Sequence, residues 1–247
     1  MTKNAIAIAT DYNYKHYLKV ILTTLKKVEC KVDIFVRLVD FTKEQIEEMK
    51  LLYDVNFIID NPNMSNKKTI FKTKDRVDIE YIYKVKNIKD IKKILYSPRS
   101  FYTCHSRFKS IKELLEQGYD NILTLDCDTV VLKNFDEVFN FKEDICTVQN
   151  IEMNKDDVFS NEGFLLFKNN IKIIDFIDRI NVYLFDDKNY LDWNGDHKAL
   201  HKFYKDNISI KILEEKYKDK YHKEDSVMWS GDAVNKFKML EKYNEYS

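Results

Sequence analysis

The sequence predicts an α/β fold with a mostly parallel central sheet and a ligand site at the strand ends. Apolar runs of strand length alternate with amphipathic helical segments through the first half of the chain, which is typical of a doubly wound sheet. The runs are almost continuously apolar, as strands covered on both faces are. Hydrophobic residues make up 44% of the chain and charged residues 33%, so a disordered chain is excluded.

Each strand is predicted from an apolar, β-favouring run, and each helix from apolar residues that recur near every 3.6 positions. Strands are predicted at residues 4–10, 32–39, 55–59, 121–126, 164–167 and 208–213. Helices are predicted at residues 14–27, 99–117, 171–184 and 233–242. A short helix after residue 42 begins with a capping box of Thr42 and Gln45, and Gly118 caps the end of the 99–117 helix. Residues 64–97 are lysine-rich and give no clear pattern.

Bulk properties narrow the class of protein. The chain has two prolines and four glycines, so we expect one domain over residues 1–247 with no linker. Lys+Arg and Asp+Glu are both 41, and this balance gives no support for a nucleic-acid partner. No apolar run approaches the roughly 20 residues that span a bilayer. The four cysteines lack zinc spacing, which predicts reduced thiols in a cytoplasmic protein.

The stretch ILTLDCDTVV, residues 122–131, delivers Asp126 and Asp128 at the end of a buried strand. Two chemistries use such a pair. Both carboxylates can hold Mg²⁺ or Mn²⁺ against a nucleotide diphosphate. Alternatively, haloacid-dehalogenase-type phosphatases use the first Asp as nucleophile and the second as acid/base. That class needs a downstream G-D-x-x-x-D, and SGDAVNK at 230–236 ends in Lys236 instead.

Further motifs favour the metal–nucleotide chemistry. The chain resembles the retaining GT-A-fold glycosyltransferases of family 8, which include lipopolysaccharide hexosyltransferases and glycogenin-like enzymes. The matching stretches, in family order, are IAIATDYNYKHYL (6–18), HSRFKSIKELL (105–115), LTLDCDTVVLKNFDEVF (123–139), VFSNEGFLLFKN (158–169) and GDHKAL (195–200). Five matches in the expected order make coincidence a poor explanation. The resemblance implies a single GT-A domain that moves a hexose from a UDP-sugar, with Mn²⁺ or Mg²⁺ as cofactor.

The resemblance also implies roles for individual residues. By the resemblance, Ala9, Thr10, Asp11 and Tyr14 contact the base and ribose. Arg107 lies near the donor sugar and nucleotide, and Lys236 contacts the diphosphate. The reacting groups fall to Asn161, Asp196 and His197, and the metal to Asp126 and Asp128. Without the resemblance, Tyr14 is equally a core aromatic, Arg107 a surface charge, Asn161 part of a turn and Asp196 a helix start.

The last family motif, H-x-x-G-x-x-K, is not conserved in this chain. Met228 stands at the position of the metal-binding His, and Val234 at that of the Lys, with Lys236 two residues on. A thioether is a poor ligand for Mg²⁺ or Mn²⁺. His222 is a nearby substitute, or the aspartates, diphosphate and water complete the coordination sphere. The departure also leaves open a relative that binds nucleotide-sugar without catalysis.

The chemistry of transfer is left open by the sequence. Retention is compatible with front-face attack or with a covalent double displacement, for which Asp196 is the nearest candidate nucleophile by position. The acceptor is a glycan, a lipid-linked saccharide or a protein. The C-terminal KFKMLEKYNEYS, 236–247, mixes basic and aromatic residues, but we expect a terminal amphipathic helix there in preference to a membrane contact.

Overall fold

The computed structural model describes residues 2–62, 98–149, 163–186, 194–205 and 207–230, together with Phe159, Asn189 and Tyr243. The strands in these ranges are β1 (Asn4–Asp11), β2 (Asp33–Val39), β3 (Asn56–Asp60), β4 (Asn121–Asp126), β5 (Val130–Val131), β6 (Ile145–Val148), β7 (Phe164–Lys168), β8 (Ile210–Leu213) and β9 (Met228–Trp229). The α-helices are α1 (Lys15–Lys27), α2 (Lys43–Leu52), α3 (Pro98–His105), α4 (Arg107–Glu116), α5 (Ile171–Asn181) and α6 (Gly195–Phe203).

The central sheet has seven strands in the order β3-β2-β1-β4-β7-β6-β8. β1 pairs in parallel with β2 and β4, and β2 with β3. β7 runs antiparallel between β4 and β6, and β8 joins β6 in parallel. The predicted α/β class with a mostly parallel sheet is therefore confirmed, with one reversed strand, β7, in its interior.

Helices cover both faces of this sheet, which explains the continuous apolar runs. On β1, Ile6 and Ile8 pack in a buried cluster that includes Leu18 and other residues of α1. The alternate residues Ala5 and Ala7 point to the other face and pack with α4, α5 and α6 because successive side chains of a strand point to opposite faces. The strands of the sheet are thus held between two packed layers of helices.

Most predicted boundaries hold within a few residues. The capping box of Thr42 and Gln45 is present at the start of α2. Gly118 follows α4 with φ of +80°, the left-handed conformation that ends many helices and that favours glycine. The 171–184 prediction corresponds to α5, which continues into a π-helical turn at Val182–Asp186.

The single helix predicted over 99–117 is wrong, because the chain forms α3 and α4 with a break at Ser106. Ser106 is fully buried, and its hydroxyl donates to the Thr103 carbonyl at 2.8 Å. Such a bond between side chain and backbone competes with regular helical geometry. The break makes His105 the last residue of α3 and Arg107 the first of α4.

Three short strands were not predicted. β6 has four residues, while β5 and β9 have two each and pair antiparallel, with Val131 opposite Met228 and Val130 opposite Trp229. The predicted helix at 233–242 and the lysine-rich residues 64–97 lie outside the described residues. Among the residues that are described, no helix is both long and apolar enough to cross a membrane.

Candidate functional site

The carboxyl ends of β1 and β4 lie side by side. Ala9 of β1 is in register with Asp126 of β4, and Asp11, the last residue of β1, lies at the same edge of the sheet. In open α/β sheets this edge is where ligands bind. The structure thus brings together two groups of residues that the sequence assigned separately, to the nucleotide and to the metal.

Asp11 shapes the turn that follows β1. It is buried, and it accepts a hydrogen bond from the Asn13 backbone N–H at 2.9 Å, which caps a short 3-10 helix at Tyr12–Tyr14. Burial raises the pKa of Asp11 more than the nearby charge of Arg99 lowers it. Arg99 Nε lies 3.8 Å from Asp11 Oδ2, so this arginine joins the predicted nucleotide end of the site.

The other predicted base contacts have different surroundings. Thr10 is buried and its hydroxyl donates to the Asp11 carbonyl at 3.1 Å. Tyr14 is 38% exposed, with its ring 5.5 Å from that of Tyr17. The predicted roles of both residues stay predictions, and the partial exposure of Tyr14 leaves its ring accessible.

Arg107 links the two acidic motifs. Its Nη1 lies 2.9 Å from Asp126 Oδ1 and its Nη2 lies 3.4 Å from Asp196 Oδ2. The Nε donates to the Cys104 carbonyl at 2.8 Å, which fixes the guanidinium plane. Asp126 and Asp196, which lie 19 and 89 positions from Arg107 in sequence, therefore contact the same side chain. This is because the helix break at Ser106 directs the start of α4 toward the strand ends.

Asp196 lies in the first turn of α6 and is buried. Its Oδ1 accepts the His197 backbone N–H at 2.9 Å and lies 3.4 Å from Nε2 of the buried His105. Burial alone would raise the pKa of Asp196, but His105 and Arg107 together hold that pKa well below its usual range. The His197 ring itself lies 4.6 Å from the ring of His201.

Lys218 is a site residue that sequence reasoning missed. Its Nζ lies 3.0 Å from Asp126 Oδ2, across 92 residues of chain. Four lysines crowd residues 216–223, and no motif or period distinguishes Lys218 from its neighbours. His105 was also missed, although its place two residues before Arg107 in a matching stretch was an available signal.

Neighbouring contacts hold the Lys218 backbone in place. Lys218 ends a 3-10 helix at Glu215–Lys218. The Tyr217 hydroxyl donates to Glu137 at 2.7 Å, and burial together with this carboxylate raises the pKa of Tyr217. The buried Asp219 accepts the backbone N–H groups of Tyr221 and Lys223 and the hydroxyl of Ser226. β9 then begins at Met228 and pairs with β5.

The family resemblance implies a divalent metal ion at Asp126, but the residues around Asp126 do not fit one. Each Asp126 oxygen lies within 3.0 Å of a cation, Arg107 or Lys218. Met228, at the position of the family's histidine ligand, is fully buried in the core. His222 contacts Tyr243 Oη at 3.1 Å through its Nε2. Within the described part of the chain, no three His, Cys, Asp or Glu side chains form a metal-binding group.

Two other predicted site residues, Asn161 and Lys236, lie outside the described residues. Asp126 and the buried Asp128 remain the metal ligands that the sequence predicts.

Fold and site together define an α/β protein with an acidic and basic cluster at the carboxyl ends of strands β1 and β4. The sequence profile of the family described as nucleotide-diphospho-sugar transferase matches residues 68–239, which is more than half of the chain. The chain belongs to this family. The resemblance to GT-A glycosyltransferases is confirmed, a family 8 type is consistent with it, and the phosphatase alternative is not supported.

Solved structures of glycosyltransferases share the fold. The glycosyltransferase GlyE of Streptococcus pneumoniae TIGR4 aligns with 100% of this chain and 60% of its own length, at 15% identity and a TM-score of 0.62. The galactosyltransferase LgtC, solved with donor and acceptor sugar analogs, aligns with 98% of this chain and 100% of its own, at 13% identity and a TM-score of 0.57. A glycosyltransferase involved in glycosylation of the major capsid of PBCV-1 aligns at 9% identity and a TM-score of 0.52, over 98% of this chain and 100% of its own. A search of curated proteins finds no match.

Proposed function

We propose that this chain transfers a hexose from a UDP-sugar to an acceptor hydroxyl with retention of configuration, within one GT-A domain over residues 1–247. The observation that carries the proposal is Arg107, which contacts Asp126 and Asp196 at once. The family resemblance assigns Arg107 to the nucleotide and donor sugar, Asp196 to the reacting groups and Asp126 to the metal. These residues come from three separate stretches of sequence. A cluster of fixed charges at the carboxyl ends of β1 and β4 suits a charged, polar ligand such as a nucleotide-sugar.

The proposed donor site runs along this edge of the sheet. Uridine lies against the end of β1, with contacts from Ala9, Thr10, Asp11 and Tyr14. The sugar lies near Arg107 and Asp196, with Asn161 and His197 at its reacting face. The C1–O bond to the diphosphate breaks with its electron pair leaving on UDP, while the acceptor oxygen bonds to C1. The acceptor's hydroxyl proton passes to the departing phosphate oxygen.

The contacts of Asp196 favour front-face attack over a double displacement. Its Oδ1 accepts the His197 N–H and its Oδ2 faces Arg107, so neither oxygen is directed solely at a substrate carbon. We assign Asp196 to positioning Arg107 and binding a sugar hydroxyl. Its low pKa keeps it an acceptor at neutral pH.

Other parts of the proposal rest on simpler observations. All four cysteines are free thiols, which favours a cytoplasmic protein. The acceptor remains a glycan, a lipid-linked saccharide or a protein. The sequence also predicts Mn²⁺ or Mg²⁺ at Asp126 and Asp128 and a diphosphate contact from Lys236, but the cations paired with Asp126 argue against the metal ion.

Hydrolysis of UDP-glucose and UDP-galactose by the purified protein tests the proposal. We expect release of UDP from one of them, and a loss of at least about 10²-fold in the Asp126→Ala variant because a donor contact is removed. Asp175→Ala is the matched control, since the ion-pair partners of Asp175 among the described residues are the surface cations Arg179 and Lys205. Proton NMR of the released hexose, recorded before mutarotation, reports its anomer. If no UDP-hexose binds or is turned over, the proposal is overturned.

A nucleotide-sugar-binding protein without catalysis is the second candidate. It is favoured by one observation, that the family's histidine position holds the buried Met228. Calorimetric titration separates the two: this candidate predicts UDP-sugar binding at micromolar Kd with no release of UDP over hours at high enzyme concentration.

A further inference from the structure

Two cations already contact the carboxylate of Asp126. Asp126 and Asp196 each carry a negative charge, and Arg107 and Lys218 each carry a positive one in contact with them. Guanidinium and ammonium groups are permanent cations at neutral pH. A divalent ion at Asp126 would have to enter beside two cations that already share this carboxylate, and like charges repel.

The structure has a specific space for the Lys218 ammonium. A Cβ at Gly163 would lie within 2 Å of both Lys218 Nζ and Asp126 Oδ2, so the ion pair in this position occupies the space that a larger residue would take. The Gly163 carbonyl also accepts the Asp126 backbone N–H at 3.2 Å. Glycine is commonly used where charged groups or ligands approach a backbone closely.

The position of Lys218 is fixed in other ways as well. Its side chain is only 12% exposed, in contrast to the usual solvated lysine. The adjoining Tyr217 and Asp219 are held by a carboxylate and by a hydrogen-bonded loop. A flexible surface lysine would need none of these contacts.

We propose that Lys218 is the resident cation of the donor site, and that it does at Asp126 and the donor diphosphate what a divalent metal would do. This inference rests on the proposed function. An ammonium has three donors, so Lys218 can keep its bond to Asp126 and also donate to a phosphate oxygen. As the C1–O bond breaks, its charge and that of Arg107 stabilise the electron pair that leaves on UDP. UDP binding and donor turnover therefore need Lys218 and do not need Mn²⁺ or Mg²⁺.

Calorimetric titration of UDP, with EDTA or with millimolar Mn²⁺, tests this on the full chain. We expect the Kd of the unmutated protein to agree within about twofold in the two buffers, because no metal site contributes. Lys218→Met keeps the length of the side chain and removes its charge, and we expect it to weaken UDP binding in EDTA about tenfold or more. Lys216→Met is the matched control, because Lys216 lies on the same 3-10 helix and pairs with Glu214.

Mn²⁺ rescue distinguishes a charge role from a structural one. Removing the ammonium leaves Asp126 Oδ2 accessible to a metal, so Mn²⁺ should restore part of the UDP binding and donor hydrolysis of Lys218→Met. Lys218→Arg should retain UDP binding in EDTA, since it keeps the positive charge. Mn²⁺ titration followed by electron paramagnetic resonance should show tighter Mn²⁺ binding to Lys218→Met than to the unmutated protein. If Lys218→Met had merely misfolded, Mn²⁺ would not restore its UDP binding, and its affinity for Mn²⁺ would not rise.

Each opposite result has a clear meaning. If the unmutated protein binds UDP only with Mn²⁺, and Lys218→Met behaves like it, the donor-site function stands and the inference about Lys218 is overturned. If Lys218→Met loses UDP binding and neither Mn²⁺ nor the Arg variant restores it, Lys218 is structural and the inference fails. If UDP and UDP-hexoses bind under no condition, the proposed function fails, and the inference with it.

Discussion

His105 and Asp196 are in direct contact inside the site, with Nε2 of the buried imidazole 3.4 Å from Oδ1 of the carboxylate. Neither lies on the surface, and Arg107 closes the other side of Asp196. The pair shows that the floor of the site is charged and shielded from water. Charges in such a place interact strongly, so the site should respond to substitution more than its surroundings do.

The first prediction concerns acid stability. Because the pKa of Asp196 is lowered on folding from its ordinary 3.8, its ionisation stabilises the folded protein fully above that value. This contribution falls as pH drops through the ordinary pKa and is gone below the folded pKa. We expect the free energy of unfolding to fall less steeply below about pH 4 in Asp196→Asn than in the unmutated protein. Urea denaturation followed by circular dichroism at stepped pH measures this.

Asp175→Asn is the control for that experiment. The pKa of Asp175 is also lowered, first by its hydrogen bond from Arg179, but the group is exposed. An exposed pair is screened by solvent, so its removal should change the slope less. Equal slopes for Asp196→Asn and the unmutated protein would contradict the assignment.

The second prediction concerns the two guanidinium contacts of Arg107, with Asp126 and with Asp196. Lysine keeps the charge but cannot contact two carboxylates with separate N–H groups in a fixed plane. We expect Arg107→Lys to lower kcat/KM for donor hydrolysis by about 10²-fold. Arg179→Lys, which alters an exposed i,i+4 pair on α5, should leave kcat/KM unchanged. Full activity in Arg107→Lys would show that the charge alone is sufficient.

The third prediction compares two helix caps. Asp11 and Thr42 both accept a backbone N–H at a helix start, and loss of either cap should cost about 1 kcal/mol of stability. Only Asp11 lies at the proposed uridine end. We therefore expect Asp11→Ala to weaken UDP binding and Thr42→Ala to leave its Kd unchanged, as measured by calorimetry. Equal Kd values in both variants would remove Asp11 from the base site.

The fourth prediction compares two glycines. Gly163→Ala must displace the ends of Lys218 and Asp126, since the new Cβ would overlap both, and we expect weaker UDP binding in EDTA. Gly118→Ala puts a side chain into a left-handed turn with open space around it. It should cost about 1 kcal/mol in stability and leave UDP binding alone. Weakened binding in Gly118→Ala would mean that stability, and not the ion pair, controls affinity.

Sequence patterns were sufficient wherever local physics decides structure. The apolar run of β4, the Thr42 capping box and the left-handed Gly118 were all predicted because each depends on neighbours a few residues away. The reversed direction of β7 was not predicted, since a five-residue apolar run looks the same in a parallel or an antiparallel pair. The two-residue strands β5 and β9 are too short to have a period.

The site divides along the same line. Asp126 and Arg107 were identified because they stand in recognisable motifs, and the structure brings them together. Lys218 could not be identified from the sequence, because its proposed role depends on its proximity to Gly163 and Asp126 across the fold. The roles of Asp126 and Asp128 as metal ligands stay predictions, and the ion pair at Asp126 is the physical reason to test them first.

The pairing of β9 with β5 has a consequence for biosynthesis. Lys218 reaches Asp126 on a segment that follows β8, and Met228 and Trp229 later in that segment pair with β5 in a separate two-stranded sheet. During translation, all seven strands of the central sheet are therefore made before this ammonium can take its place. A nascent or truncated chain ending before Lys218 would contain the whole central sheet, and under our proposal it would not bind the donor. Donor binding would then report that the ribosome had finished this part of the chain.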